Sequence, residues 1–351
     1  MSEKVIMKGN EALAEAAIRA GCRCFFGYPI TPQTEVAAYM SKAMPKAGGV
    51  YLQAESEIAA INMVYGASAS GVRCMTSSSS PGISLKSEGI SYICGADLPA
   101  VIVNMTRGGP GLGGIQPAQS DYYQATRGIG HGDAHLLVFA PAGIQEMCDL
   151  MTDAFDKADE YRMPAMILGD GAIGQMMEPV TLPEPKANLI EKPWATTGTN
   201  MARPHNIVNS LYLQPDALEA NIRARFERYA KIQATEARCE EYMADDADIM
   251  VVSYGISSRI AKSAIKRARA EGLKVGLLRP ITLWPFPSAV LKKHAAHVKA
   301  FLDVELNMGQ MIDDVRLAIE CARPVEYVGR TGGIIITPDE VLAALRKMEG
   351  K

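Results

Sequence analysis

The chain has 351 residues, 48% of them apolar, which is enough to bury large cores and to form two or three domains. Its 36 basic and 39 acidic residues nearly cancel without a long basic run, so nucleic acid is excluded as an expected partner. No apolar run approaches the roughly 20 residues of a membrane span, and the N-terminus lacks a signal-peptide segment. We therefore expect a cytoplasmic protein without a membrane partner.

The cysteines are scattered, without the two-residue spacings that bind zinc or iron–sulfur clusters. They are Cys22, Cys24, Cys74, Cys94, Cys148, Cys239 and Cys321. We expect reduced thiols and no metal site in this chain.

Residues 27–32, Gly-Tyr-Pro-Ile-Thr-Pro, are predicted to form a strand-to-helix turn. The apolar residues before them indicate a buried strand, while Thr31 and Pro32 are typical of a helix N-cap and first helical residue. In open α/β sheets, ligands bind beyond the carboxyl ends of the strands, where this turn would lie.

A second turn of this kind surrounds Glu57. Residues 50–53 are predicted to form a strand and residues 57–69 an apolar helix, which places Glu57 in its first turn. An acidic residue there commonly only complements the helix dipole. The apolar residues that follow, without a cation nearby in the sequence, indicate instead a carboxyl that can share a proton.

A serine run at residues 77–80 is predicted to form a polar loop before a helix at 83–94, and low complexity explains it sufficiently. A glycine-rich stretch, residues 108–114, follows the next apolar strand. It formally fits the dinucleotide fingerprint, but Pro117 stands where a helix should run. A loop that brings Arg107 and Gln116 to a small anion explains these residues, although Arg107 could also be a solvated cation at a strand end.

Strands at 136–140 and 165–168, with a helix at 144–161, complete an alternating series that predicts a doubly wound parallel sheet. The series ends in a strand followed by Gly-Asp-Gly, residues 169–171. The magnesium–diphosphate site of thiamine-diphosphate enzymes begins with the same strand and motif. Only Asn200, in a proline-rich stretch, has a suitable spacing for the second ligand. We therefore expect no metal site at Asp170.

Residues 216–244 predict a long charged helix, and a second alternating series begins at residue 249 and closes with a helix capped by Thr337 and Glu340. The predicted organisation is an α/β domain over residues 1–185, a linker and bridging helix over 186–245, and a second α/β domain over 246–351.

Several motifs together resemble the α subunit of 2-oxoacid:ferredoxin oxidoreductases over nearly the whole chain. They are Tyr28-Pro29-Ile30-Thr31-Pro32, Ser56-Glu57, Thr106-Arg107, Gly169-Asp170-Gly171, and Ser253-Tyr254-Gly255 with Leu278-Arg279-Pro280. The glycine-rich stretch through Pro117, with Asp121-Tyr122, is more similar to the 2-oxoisovalerate branch than to the 2-oxoglutarate branch.

The resemblance implies that residues 1–185 bind the aminopyrimidine of thiamine diphosphate and that residues 246–351 form a transketolase C-terminal-like domain. A separate β subunit would hold the diphosphate and Mg²⁺, and [4Fe-4S] clusters would lie on the β subunit and a ferredoxin-like γ/δ subunit. The implied reaction converts a branched-chain 2-oxo acid and coenzyme A into acyl-CoA and CO₂, with electrons passed to ferredoxin.

The resemblance also assigns residues to the site. Glu57 would be the catalytic carboxyl at the pyrimidine N1′, beside cofactor-binding residues Tyr28, Pro29 and Ile30. The candidates for binding the 2-oxo acid are Thr31, Arg107 and Gln116, since a hydroxyl, a guanidinium and an amide suit a planar carboxylate.

Other functions remain open. A 2-oxoglutarate:ferredoxin oxidoreductase α subunit differs in substrate, and an E1β-like subunit of a lipoamide-linked 2-oxoacid dehydrogenase differs in electron acceptor. A non-catalytic scaffold subunit would use these turns only as interfaces. A nicotinamide dehydrogenase would need the glycine-rich stretch to be a true dinucleotide fingerprint.

Overall fold

The computed structural model describes residues 4–350. The strands are β1 (Val5–Lys8), β2 (Cys24–Gly27), β3 (Val50–Gln53), β4 (Cys74–Ser78), β5 (Val101–Thr106), β6 (Leu137–Phe139), β7 (Ala165–Asp170), β8 (Met177–Val180), β9 (Cys239–Tyr242), β10 (Ile249–Val252), β11 (Val275–Pro280), β12 (Thr282–Trp284), β13 (Ala300–Glu305) and β14 (Val325–Gly329). The helices are α1 (Gly9–Arg19), α2 (Thr34–Ala43), α3 (Glu57–Ala69), α4 (Ser80–Gly95), α5 (Tyr122–Arg127), α6 (Ile144–Tyr161), α7 (Gly171–Gln175), α8 (Pro215–Thr235), α9 (Gly255–Ala270), α10 (Ser288–Ala295), α11 (Met311–Ala318) and α12 (Pro338–Met348).

The first sheet has seven strands in the order β12-β6-β7-β5-β4-β2-β3, and all are parallel except β12. Every residue of β4, β5 and β7 is buried, because helices cover the sheet. Among these helices, α1 packs against α2 and α6, and α3 packs against α4. The predicted doubly wound parallel sheet is confirmed.

The second sheet has five strands in the order β14-β13-β10-β11-β9, parallel except for β9. The last helix, α12, packs on α9, and its predicted capping box is present: the Thr337 hydroxyl accepts from the Glu340 amide while the Glu340 carboxylate accepts from the Thr337 amide. A second α/β unit therefore follows the first. Within residues 4–350, no helix combines the length and apolar character needed to cross a membrane.

Each sheet takes an edge strand from the other half of the chain. The strand β12 joins the first sheet beside β6, and β9 joins the second sheet beside β11. The prediction of one helix over 216–244 is wrong in its second part, since α8 ends at Thr235. There the Glu236 carboxylate accepts hydrogen bonds from Tyr161 (2.6 Å) and Lys157 (2.8 Å), which hold the end of the helix in place. The chain beyond it is extended and pairs as β9.

The first predicted turn also differs in detail. Helix α2 begins at Thr34 with Gln33 as its N-cap, so the prediction that Thr31 is the N-cap and Pro32 the first helical residue is wrong. The Pro32 carbonyl accepts instead from the side chains of Asn10 (2.8 Å) and Gln175 (3.1 Å). Residues 28–31 consequently remain an open turn ahead of the helix.

Gln119, which is buried, joins the two α/β units. Its side-chain oxygen accepts from the Ser257 hydroxyl and the Leu306 amide, both at 2.9 Å, and its amide nitrogen donates to the Tyr254 carbonyl at 2.9 Å. The second unit is thereby held against the segment that follows the glycine-rich loop.

Candidate active site

Polar residues follow five neighbouring strands of the first sheet at one edge. Because parallel strands present their carboxyl ends together, the sheet order aligns these residues beside one another. In that order they are Asp170 after β7, Arg107 after β5, Ser79 after β4, Tyr28 after β2 and Glu57 after β3.

Glu57 is the first residue of α3, as predicted, and the Ser56 side chain caps that helix by accepting from the Ala59 amide at 3.2 Å. The side chain of Glu57 is only 6% exposed, and no group within residues 4–350 donates a hydrogen bond to its carboxylate. A Cβ on Gly82 would lie 2.6 Å from Glu57 Oε1, so the carboxyl group rests directly on the first turn of α4. Buried acids rarely lack a donor, which marks this one as available to a ligand.

Glu57 has no cation near it in the sequence, but the fold brings one close. Lys86, on α4, is completely buried and lies within the electrostatic reach of Glu57. Burial lowers the pKa of Lys86 to about 7, and the charge of Glu57 opposes that shift. The sequence could not show this pair because the two residues are on different helices.

Arg107 is buried, at 7% exposure, and is therefore not a solvated cation at a strand end. Its guanidinium donates to the carbonyls of Thr31 (3.0 Å) and Leu112 (3.1 Å), while its Nε has no partner. Within the described part of the chain no carboxylate pairs with it. A buried charge without a counter-charge is costly, so the arrangement favours an anionic ligand.

The glycine-rich stretch is a closed loop and not the start of a helix. The Gly114 amide donates to the Gly108 carbonyl at 2.9 Å, and the Gly108 amide donates to the Gln116 carbonyl at 3.0 Å. Gly113 has a φ of +59°, and a Cβ there would lie 1.9 Å from the Gly108 oxygen, so only glycine fits. This geometry agrees with the predicted loop and excludes a dinucleotide fingerprint.

A cleft of about 480 Å³ opens beside this loop. It brings together two of the predicted substrate residues, Thr31 and Gln116, and Arg107 binds the Thr31 carbonyl at its margin. Tyr28 and Glu57 do not line this cleft, although Tyr28 follows the strand next to that of Glu57.

Sequence reasoning missed two residues that line the cleft, Glu35 and Gln175. Gln175 donates to Glu35 at 2.9 Å, as does Asn10. Burial raises the pKa of Glu35, but these hydrogen bonds outweigh burial and lower it overall. No local pattern could have identified a network whose members lie 25 and 140 residues apart.

The serine run is not the predicted loop, because β4 extends to Ser78 and α4 begins at Ser80. The hydroxyls of Thr76, Ser78 and Ser79 are buried and have no hydrogen-bond partner. Low complexity does not account for these hydroxyls within the described residues, of which Ser78 Oγ lies beside Glu57.

Asp170 serves as a helix cap. Its Oδ1 accepts from the amides of Ala172 (2.9 Å) and Ile173 (3.1 Å), and burial raises its pKa to about 6 against the effect of these bonds. Among residues 4–350, no cluster of three or more His, Cys, Asp or Glu side chains is arranged to hold a metal ion.

Residues 15–245 match the family model for the thiamine-diphosphate-binding region of pyruvate flavodoxin/ferredoxin oxidoreductases. The chain belongs to this oxidoreductase family. Residues 247–341 match core domain II of pyruvate:ferredoxin oxidoreductase. The predicted resemblance and the assignment to an oxidoreductase subunit are therefore confirmed.

Relatives within the oxidoreductase family differ in their similarity to the chain. Ketoisovalerate oxidoreductase subunit VorB of Methanothermobacter thermautotrophicus is 51% identical, over 98% of this chain and 98% of that protein. The 2-oxoglutarate synthase subunit KorA of the same organism is 36% identical, over 99% of this chain and all of that protein. The order of these two relatives agrees with the branch predicted from the glycine-rich stretch.

Solved structures confirm the fold. A 2-oxoglutarate:ferredoxin oxidoreductase from Magnetococcus marinus, with 2-oxoglutarate, coenzyme A and succinyl-CoA bound, matches with a TM-score of 0.86 and 27% identity. The match covers 99% of this chain, which spans 65% of the length of that one. A split-gene transketolase matches with a TM-score of 0.60 and 16% identity over 97% of both chains, which shows a shared fold alone.

Proposed function

We propose that this chain is the α subunit of a thiamine-diphosphate-dependent 2-oxoisovalerate:ferredoxin oxidoreductase. The enzyme would convert the branched-chain 2-oxo acid and coenzyme A into acyl-CoA and CO₂ and reduce ferredoxin. Similarity to VorB supports the substrate class. The observation that carries the proposal is a pair of buried charged side chains at the carboxyl edge of one sheet: within residues 4–350 Glu57 has no hydrogen-bond donor and Arg107 no counter-charge.

The cofactor fits the Glu57 region. A buried carboxyl without a donor suits the N1′ atom of an aminopyrimidine, with which it would share a proton. The turn residues Tyr28 and Pro29, which are exposed, and Ile30, which is half-buried, would border the ring. When bound, thiamine diphosphate supplies the electron sink for decarboxylation. The task of Glu57 is to hold or release the proton at N1′.

The substrate carboxylate would bind at Arg107, Thr31 and Gln116. Arg107 has a free Nε and no counter-charge, while the Thr31 and Gln116 side chains face the cleft beside it. A guanidinium held by two carbonyls is already oriented, so it binds a planar carboxylate without further ordering.

Other subunits would complete the site. A β subunit would carry the diphosphate and Mg²⁺, with [4Fe-4S] clusters on it and on a ferredoxin-like γ/δ subunit that passes electrons to ferredoxin. Two observations support this division: Asp170 is occupied as a helix cap, and large apolar side chains stand exposed near Glu57. Leu52 and Ile58 lie on the strand before Glu57 and beside it on α3, and Leu112 and Ile115 lie on the glycine-rich loop beside Arg107; such exposed apolar side chains are typical of a protein interface.

The same proposal includes a cytoplasmic location and the division into a pyrimidine-binding domain over 1–185, a linker with a bridging helix over 186–245 and a transketolase C-terminal-like domain over 246–351. The exchanged edge strands β9 and β12 cross these limits. They bind the parts into one body and do not alter which part carries Glu57 and Arg107.

The test is to co-express the chain with its partner subunits under anaerobic conditions and assay coenzyme-A-dependent viologen reduction. We expect 2-oxoisovalerate to give the highest kcat/KM, above 2-oxoglutarate and pyruvate, with stoichiometric thiamine diphosphate in the complex. Calorimetry on this chain alone with Mg²⁺ should detect no tight cofactor binding. A preference for 2-oxoglutarate would overturn the branch, and viologen reduction without bound cofactor would overturn the enzyme class.

A further inference from the structure

Lys86 lies wholly inside the protein, yet its charge has no direct partner. Its Nζ donates one hydrogen bond, to the Ser77 carbonyl at 3.1 Å, and within the described residues no carboxylate forms an ion pair with it. Burial lowers its pKa to about 7, so the amine gains or loses its proton near neutral pH. Nothing in the proposed reaction has so far used this group.

Glu57 is the charged group that acts on Lys86 from the surrounding elements. Helix α3 carries no other charged residue, β4 and β5 carry none, and the remaining charged residue of α4, Glu88, is at the surface, where it accepts from Tyr92. Gly82, one helical turn before Lys86, is the residue on which the Glu57 carboxyl rests. Both groups therefore lie where α3 packs against α4.

The hydroxyl of Ser78, at the end of β4, lies at the same place. A Cβ on Gly82 would lie 2.1 Å from Ser78 Oγ and 2.6 Å from Glu57 Oε1, so the hydroxyl and the carboxylate both lie against the α-carbon of Gly82 and close to each other. Ser78 Oγ has no partner, and Ser78 directly follows the residue whose carbonyl binds Lys86. A hydroxyl can donate and accept at once, which makes Ser78 a suitable link between the amine and the acid.

We propose that Lys86 is a positioning residue that sets the proton state of Glu57. The two side chains share one proton: Lys86 is an ammonium while Glu57 is a carboxylate, and Lys86 is a neutral amine while Glu57 is a carboxylic acid. The exchange consumes no other reactant, because the ammonium and carboxylate simply become an amine and a carboxylic acid. This inference rests on the proposed role of Glu57 toward the pyrimidine.

The first test uses the whole complex loaded with thiamine diphosphate and Mg²⁺. Circular dichroism of the bound cofactor reports its imino tautomer, and hence the proton at N1′, without turnover. Lys86→Met keeps the apolar stem and removes the charge, so the midpoint of the tautomer transition should move to higher pH by about 1 unit. Ile90→Met, one turn further along α4 and equally buried, is the packing control and should leave the midpoint unchanged.

A second test needs no cofactor. The pKa of Lys86 is about 7 in the folded protein and 10.5 in a model peptide, so its burial penalty is full below pH 7 and is relieved as the pH rises toward 10. Lys86→Met should therefore raise the melting temperature at pH 7 more than at pH 9. Glu57→Gln should lower the melting temperature at pH 7 when Lys86 is present and not when it is methionine.

The outcomes separate the two proposals. Strictly additive melting shifts together with an unchanged tautomer midpoint would overturn the role of Lys86 while leaving Glu57 and the enzyme class intact. A Glu57→Gln complex with normal turnover and a normal tautomer spectrum would instead overturn the proposed function. If Lys86→Met fails to assemble, Lys86→Gln, whose amide can still donate to Ser77, is measured in the same two ways.

Discussion

Arg107 and Arg279 are both buried arginines at the carboxyl ends of parallel strands, one in each sheet, but their surroundings are opposite. Arg279, 5% exposed, pairs with Glu146 at 2.7 Å and Glu240 at 2.8 Å, whereas Arg107 contacts only carbonyl oxygens. The two arginines are therefore alike in burial and in their position at a strand end, and they differ in whether a carboxylate pairs with them. Arg107 in the first sheet is available to an anionic ligand, whereas Arg279 in the second sheet forms ion pairs that connect separate elements.

The two buried glutamates repeat this contrast. Glu305, at the end of β13, accepts from the Asn307 side chain and from the amides of Gln310 and Met311 at 2.7–2.9 Å, while Glu57 has no donor. The second sheet does contain an unpartnered acid, Asp303, but burial and the adjacent Glu305 raise its pKa well above the ordinary range. A neutral acid does not demand a counter-ion, so the contrast between the two edges holds.

Glu57→Gln should have the largest effect on activity. The amide cannot share a proton, so turnover of the complex should fall by about 10²- to 10⁴-fold, while the complex stays folded and soluble. Viologen reduction at saturating cofactor measures this. Glu55→Gln, two residues earlier on an exposed position, is the matched control and should retain full turnover. Insolubility of Glu57→Gln alone would indicate a structural role.

Arg279→Met should affect stability instead of chemistry. The change leaves Glu146 and Glu240 without their cation, and since both are partly solvated the cost should be about 2 kcal/mol. The melting temperature of the complex should fall by about 5 °C, while kcat/KM per folded enzyme stays constant. Loss of activity without loss of stability would remove the distinction between the two arginines.

Arg107→Lys keeps the charge and loses the planar fork. As the anchor for the substrate carboxylate, Arg107 should matter equally for all 2-oxo acids. The fall in kcat/KM should correspond to a loss of about 1–3 kcal/mol in transition-state stabilisation, with an unchanged melting temperature. Comparing 2-oxoisovalerate, 2-oxoglutarate and pyruvate provides the control. A selective loss of 2-oxoglutarate would mean that Arg107 reads the distal carboxylate, and the anchor role and branch assignment would both fail.

Asp170→Asn should have the smallest effect on activity, and its effect on stability should depend on pH. The folded pKa of Asp170, about 6, lies above its ordinary value of 3.8, so the folded protein binds the extra proton and this contribution to stability is lost as the pH rises from 4 to 6. Asparagine keeps the capping oxygen and does not titrate. The stability of the variant relative to the parent should therefore rise by about 3 kcal/mol between pH 4 and pH 7, measured by melting temperature. A pH-independent difference would contradict this.

The sequence predicted features that depend on neighbouring residues. The Ser56 cap and the apolar residues after Glu57 sufficed to place Glu57 at a helix start, and the apolar strand before Arg107 sufficed to place it at a strand end. Contacts between distant segments were not predictable. The Pro32 carbonyl accepts hydrogen bonds from side chains 22 and 143 residues away, so α2 begins later than predicted. Lys86 comes close to Glu57 only because α3 packs on α4.

The exchanged edge strands determine how the chain can be divided. A fragment ending at residue 245 would keep β9 without β11 beside it and would lack β12, and the complementary fragment would have the reverse defect. Each fragment would expose an unpaired edge at β6 or β11, a template for aggregation. Unfolding of either half must therefore break pairings with the other, so the two halves behave as one cooperative unit. Separate expression of either half would yield insoluble protein, whereas joint expression of both would restore the paired edges.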